Sequence, residues 1–217
     1  MKGIFNGIEI NYEVFGAGKP FILLHGNGED HTIFYELIED LKNEYTVYAI
    51  DSRSHGKSAQ GELSYSLMAE DVKCFIESLN LQKPIVYGFS DGGIIGIILA
   101  SKYPDLISTL ISSGANVQPN GLKWYIRAFF RAQNFIKPSP FLALMINEPN
   151  VTEEDLKGIK ANVLVLCGSF DMIPYKHSEY IARSIPNATL KVLKGENHGS
   201  YVIHSKKLYP IIKSYLN

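Results

Sequence analysis

The stretch Ile85-Val86-Tyr87-Gly88-Phe89-Ser90-Asp91-Gly92-Gly93-Ile94-Ile95 decides how the whole chain is read. Pro84 to Tyr87 is an apolar run of strand length. Ile94, Ile95, Ile97, Ile98 and Leu99 belong to a segment reaching Tyr103 that is apolar nearly all round, as expected of a central helix. Between them Gly88-Phe89-Ser90-Asp91-Gly92 has the form G-x-S-x-G, a sharp strand-to-helix turn that holds its serine in strained backbone geometry. A Cβ at residue 88 or 92 would meet the opposite limb of such a turn, which accounts for both glycines.

Working outward, Phe21–Leu24 and Thr46–Ile50 are short apolar runs that predict strands covered on both faces. A short helix is predicted over Ile33–Leu41 from apolar residues at i, i+4 and i+8. Tyr65–Leu79 is the clearest helix, with Met68, Val72, Phe75 and Leu79 as its stripe and Ser66 as its cap. The N-terminal residues read as a hairpin turning at Asn6-Gly7, with Ile8, Ile10, Tyr12 and Val14 alternating on one face. Further strands are predicted at Leu106–Ile111, Asn162–Leu166 and Thr189–Leu193, and a closing helix at Val202–Leu216. Strand and helix alternate after the hairpin. The fold class is therefore α/β, a mostly parallel central sheet with helices on both faces. The alternation breaks once, between Gly114 and Gly158. The sequence thus predicts a core over 1–114 and 158–217 with a small helical cap inserted at 115–157.

Composition narrows the function. The 217 residues carry 21 basic and 22 acidic side chains, a net charge of −1, with no strong basic cluster. Nucleic acid is not an expected partner. Lys123, Arg127 and Arg131, at i, i+4 and i+8, read as a solvated helix face. Cys74 and Cys167 stand alone in apolar surroundings, so neither a disulfide framework nor a metal site is expected. The longest apolar stretch, Gly92–Ala100, is too short for a membrane span. No secretory pattern opens the chain, and a cytoplasmic location is the expectation.

A serine hydroxyl needs a base, and the base needs an orienting acid. Of the six histidines, His198 alone sits in a loop between a late strand and a terminal helix. Asp171, in Gly168-Ser169-Phe170-Asp171, leaves a strand end between the serine and the histidine. The order Ser90, Asp171, His198 matches the order associated with this elbow. The remaining requirement is a pair of N–H donors for an oxyanion. The backbone groups of Asn27, in His25-Gly26-Asn27-Gly28, and of Asp91 are the candidates. His25 itself reads as structural. Trp124, Tyr125 and Phe129 are the candidate apolar wall of a substrate pocket.

These motifs resemble, in order and over essentially the whole chain, the α/β-hydrolase fold family. The resemblance rests on the segments just quoted together with Asp51-Ser52-Arg53-Ser54-His55-Gly56-Lys57-Ser58, Gly92-Gly93 and Asn197-His198-Gly199. It implies Ser90 as nucleophile, His198 as base, Asp171 as its partner, and hydrolysis of small-molecule carboxylic esters with small to medium acyl groups through an acyl-enzyme, without metal or organic cofactor. The chain departs from the family at Ser54, where glycine is frequent, and at Asp91, where an apolar residue is frequent. Family members that open epoxides or remove halogen place aspartate at the elbow centre, which here is Ser90. A thioesterase, a lactonase, a C–C bond hydrolase and a cofactor-free perhydrolase would use the same three residues. A non-catalytic ligand-binding member of the fold is the alternative from another class.

Overall fold

Asn6 and Gly7 both take positive φ, 52° and 75°, the backbone that a tight two-residue hairpin turn requires. They join β1 (Lys2–Phe5) to β2 (Ile8–Phe15) in the computed structural model, which describes residues 1–217. There follow β3 (Lys19–Leu24), α1 (Tyr35–Leu41), β4 (Tyr45–Ile50), α2 (Tyr65–Ser78), β5 (Ile85–Phe89), α3 (Asp91–Lys102) and β6 (Thr109–Ser113). Helices α4 (Trp124–Ile136), α5 (Pro140–Asn147) and α6 (Glu153–Lys157) then interrupt the alternation. It resumes with β7 (Asn162–Gly168), α7 (Tyr175–Ser184), β8 (Ala188–Leu193) and α8 (Leu208–Leu216).

The eight strands form one sheet in the order β1-β2-β4-β3-β5-β6-β7-β8. Only the β1–β2 and β2–β4 pairs are antiparallel. Each central strand is buried on both faces and divides its residues by parity. Ile22, Leu24, Val86, Leu110 and Val163 meet α2, α3 and α7 on one side. Phe21, Leu23, Ile85, Tyr87 and Leu164 meet α1 and α8 on the other. Leu24 pairs with Gly88, and Gly88 with Ser112, so the loops leaving β3, β5 and β6 open at one carboxyl edge of the sheet. That edge is where ligands bind in open α/β sheets.

Several local expectations are corrected. The Ile33–Leu41 segment opens as a 3-10 turn over His31–Phe34 before α1. Ser64, not Ser66, is the cap residue of α2, and its side chain makes no cap bond. Val14 is exposed, leaving only Ile10 and Tyr12 of the hairpin face in the core. The closing helix begins at Leu208 rather than Val202, and α7 lies where the sequence predicts no helix.

Beyond β4, Asp51 is fully buried and organises its turn. Its Oδ1 accepts the His31 N–H at 3.0 Å and His31 Nδ1 at 2.6 Å; its Oδ2 accepts Asn11 Nδ2 and the Lys57 N–H, both at 2.9 Å. Burial alone would raise its pKa, but these donors, His31 first, hold the carboxyl far below the ordinary range. Ser54 occupies the left-handed region at φ 64°, which explains why glycine suits that position. The serine is compensated by its hydroxyl, which donates to the Gly61 carbonyl at 2.9 Å and accepts the Gly61 N–H at 3.0 Å.

Candidate active site

Ser90 stands at the junction of β5 and α3 with φ 52° and ψ −115°, a strained conformation for a residue bearing a Cβ. The turn is held by Ser90 N–H donating to the Ser113 carbonyl at 2.7 Å and by the Ile94 N–H donating to the Ser90 carbonyl at 3.1 Å. A Cβ at Gly88 would collide with the Gly92 carbonyl, as expected. At Gly92 the obstacle is instead the Leu24 carbonyl of the neighbouring β3.

Two loops bring the other members to Ser90. Ser169 and Phe170 donate their N–H groups to the carbonyls of Leu193 and Glu196 at 3.0 and 2.9 Å, which ties the turn after β7 to the loop after β8. Gly114 lies against the imidazole of His198, where an added Cβ would be 2.8 Å from Cε1. His198 Nε2 lies 3.0 Å from Ser90 Oγ, and His198 Nδ1 lies 2.7 Å from Asp171 Oδ1. A carboxylate only accepts, so the imidazole proton sits on Nδ1, and Nε2 faces the serine as an acceptor. Asp171 is almost fully buried. Burial would raise its pKa, but the His198 imidazole and the N–H groups of Ile173 and Gly168 hold it below the ordinary carboxylate range.

The backbone N–H groups of Asn27 and Asp91 meet no acceptor within the protein. The loops carrying them are linked through side chains: Asn27 Nδ2 donates to Asp91 Oδ2 at 2.9 Å. Burial pushes Asp91 above the usual carboxylate range against the pull of that donor. The Tyr65 hydroxyl faces the same carboxylate without reaching bonding geometry. His25 is fully enclosed. Its Nδ1 donates to the Gly26 carbonyl at 2.8 Å and its Nε2 accepts the Ser52 N–H at 3.0 Å. Both ring nitrogens are therefore occupied, and burial lowers its pKa to about 4.

A cavity of about 230 Å³ opens over Ser90 and His198, walled by Phe89, Phe130, Met145, Met172 and Ile203. Trp124, Tyr125 and Phe129 do not line it; they lie on the outward face of α4, and Trp124 is 80% exposed. The inner face of the helix contributes Phe130 instead. Sequence reasoning also missed Glu29, which lies on the cavity wall and whose Oε2 accepts the Gly26 N–H at 3.0 Å. Burial raises the Glu29 pKa. Its position two residues beyond Asn27 was the available signal. A second hollow of about 250 Å³, lined by Ser64, Lys102, Glu148 and Asp155 among others, shares no residue with this cavity; in it Lys102 Nζ donates to Ser66 Oγ at 3.4 Å. Asp30, His31 and Asp51 gather possible metal-ligating atoms within 4.8 Å, but both Asp51 oxygens are already committed to N–H donors.

Sheet order, elbow and site geometry together define an α/β hydrolase. Residues 19–135 match the family model described as the alpha/beta hydrolase fold, and the chain belongs to that family. A Haemophilus influenzae protein that carries the name esterase/lipase is 27% identical over 237 residues, covering 90% of this chain and 82% of that one. Among solved structures, a meta-cleavage product hydrolase from Pseudomonas fluorescens IP01 superposes with a TM-score of 0.86 at 18% identity, covering 100% of this chain and 97% of that one. A thermophilic esterase from Thermogutta terrifontis gives 0.83 at 23% identity, with the same coverages of 100% and 97%. No helix is long and apolar enough to cross a membrane.

Proposed function

We propose that the protein is a serine hydrolase that cleaves carboxylic esters of small acyl groups. The observation that carries this reading is the continuous contact from Ser90 Oγ through the two nitrogens of His198 to Asp171, at 3.0 and 2.7 Å. In this reading His198 Nε2 takes the hydroxyl proton as Ser90 attacks the acyl carbon. The oxyanion so formed lies between the N–H groups of Asn27 and Asp91, which are free to donate to it. His198 then delivers the proton to the leaving alkoxide, and a water activated by the same nitrogen releases the acid. Asp171 keeps the imidazole in one tautomer and stabilises its charged form. The cavity, at about 230 Å³, is smaller than the ~300–1,000 Å³ of drug-sized ligand sites, which favours short acyl chains. The esterase/lipase name of the Haemophilus influenzae relative supports an ester as substrate.

A fluorophosphonate probe is expected to label the wild type and not Ser90→Ala. Hydrolysis of p-nitrophenyl acetate and butyrate is expected to exceed that of the decanoate and to vanish in the same variant. Labelling of Ser90→Ala at the wild-type level would remove Ser90 from the reaction. Turnover of a lactone or thioester panel with no turnover of esters would retain the serine and replace the substrate class.

A further inference from the structure

Helix α4 is turned the wrong way round for a helix of a water-soluble domain. At 100° per residue, Trp124, Tyr125, Phe129, Phe135 and Ile136 fall within an arc of about 140°. An amphipathic helix ordinarily buries such an arc. Here it points to solvent: Trp124 is 80%, Phe135 89% and Ile136 82% exposed, and no residue of α4 is buried. The opposite face, with Phe130, looks into the cavity over Ser90. An apolar surface of this extent on one helix calls for an occupant.

Charge identifies the occupant. Lys123, Arg127, Arg131 and Lys137 lie along or just beyond α4, and none takes part in an ion pair. The chain carries no Asp or Glu between Leu106 and Asn147. A second copy seated on the same face about a twofold axis would bring two sets of these cations together with no carboxylate between them. Large aromatic side chains beside unpaired Lys and Arg instead match a bilayer interface, where the rings enter the acyl boundary and the cations meet lipid phosphates.

We propose that the outer face of α4 docks the protein peripherally on membranes bearing anionic lipid headgroups. The chain supplies its own reporter, because Trp124 is its only tryptophan. Vesicles of phosphatidylcholine with phosphatidylglycerol are expected to shift Trp124 emission to the blue and to co-sediment the protein. Phosphatidylcholine alone is expected to do neither, and raised salt is expected to weaken the effect. The Arg127→Gln/Arg131→Gln double variant should partition about 30-fold more weakly, at roughly a factor of 5 per cation removed, with its thermal unfolding unchanged. Phe135→Ser should likewise weaken partitioning and leave unfolding unchanged. An emission spectrum unmoved by anionic vesicles would overturn the proposal, as would equal binding to phosphatidylcholine. Concentration-dependent dimers in light scattering, with the emission shifted in the absence of lipid, would assign the face to a second copy instead.

Discussion

Replacing Asn27 with alanine probes the link between the two N–H donors and is expected to show itself first in stability. Asn27 Nδ2 donates at 2.9 Å to Asp91, a carboxylate only 5% exposed. A hydrogen bond to a charged group is worth ~1.5–3 kcal/mol, and its loss inside the protein leaves the acceptor unsatisfied. That cost applies only while Asp91 is ionised. Burial already makes folded Asp91 hold its proton to higher pH than the unfolded chain does, where a carboxyl titrates near ~3.9. Folded protein therefore binds more protons in the window between those values, and stability falls as pH rises through it. Without Asn27 the folded value moves higher still, so the window widens and the deficit above it deepens by ~1.5–3 kcal/mol. Urea unfolding of wild type and variant is expected to differ by that amount near pH 8 and by progressively less as the pH falls towards the ~3.9 of the unfolded carboxyl. A difference that stays constant from pH 8 down to about pH 4 would refute the reasoning, because it would show that Asn27 does not hold an ionised Asp91. In turnover the backbone donor at residue 27 survives but loses its tether. A loss of about 10-fold in kcat is expected, below the ~10²–10³ seen when such a donor is removed outright.

Asp171→Asn should retain the fold and lower kcat by about 10⁴, since an amide can stabilise the wrong imidazole tautomer; steady-state rates on p-nitrophenyl acetate check this. Glu29 is the one acidic side chain on the cavity wall. Glu29→Gln should raise kcat/KM for an ester with a carboxylate on its acyl chain by about 10-fold relative to its neutral analogue, and an unchanged ratio would place Glu29 outside the substrate's field. Arg53 and Asp71 form a buried bidentate pair, with Nε and Nη2 each 2.6 Å from a carboxylate oxygen. Asp71→Ala leaves the buried guanidinium without a counter-charge, holding only the Glu62 carbonyl at 3.1 Å through Nη1, and should cost ~3–5 kcal/mol in urea unfolding.

The parts of the fold legible in the sequence are those whose environment is one-sided or uniform. Phe21–Leu24 of β3 and the whole of β5 are enclosed on both faces, so those residues carry no polar side chain, and α3 is largely apolar all round because it is central. The hairpin is legible because Asn6 and Gly7 are among the few residues that accept its backbone. α7 escaped because Tyr175-Lys176-His177-Ser178-Glu179 buries little: only Ser178 and Ile181 of that helix are enclosed, which leaves no stripe to detect. The closing helix was drawn too long because Val202 belongs to the core through a turn, and the apolar signal does not distinguish a buried turn from a helix start.

The site divides along the same physical line. Ser90, Asp171 and His198 could be nominated because each leaves a strand end, and a parallel sheet delivers its strand ends to one edge whatever the intervening sequence. What parity and periodicity do not encode is the side of a helix that faces the molecule when both sides carry large apolar residues. On α4 the ordinary rule that apolar faces turn inward would point the richer aromatic arc, which holds the candidate wall residues Trp124, Tyr125 and Phe129, at the pocket. The helix obeys that rule with its sparser arc, through Phe130, and presents Trp124 and Phe135 outward. The misassignment of Trp124, Tyr125 and Phe129 therefore has the same origin as the docking surface: a helix with two apolar faces has two partners to satisfy, and the fold of a single chain covers only one of them.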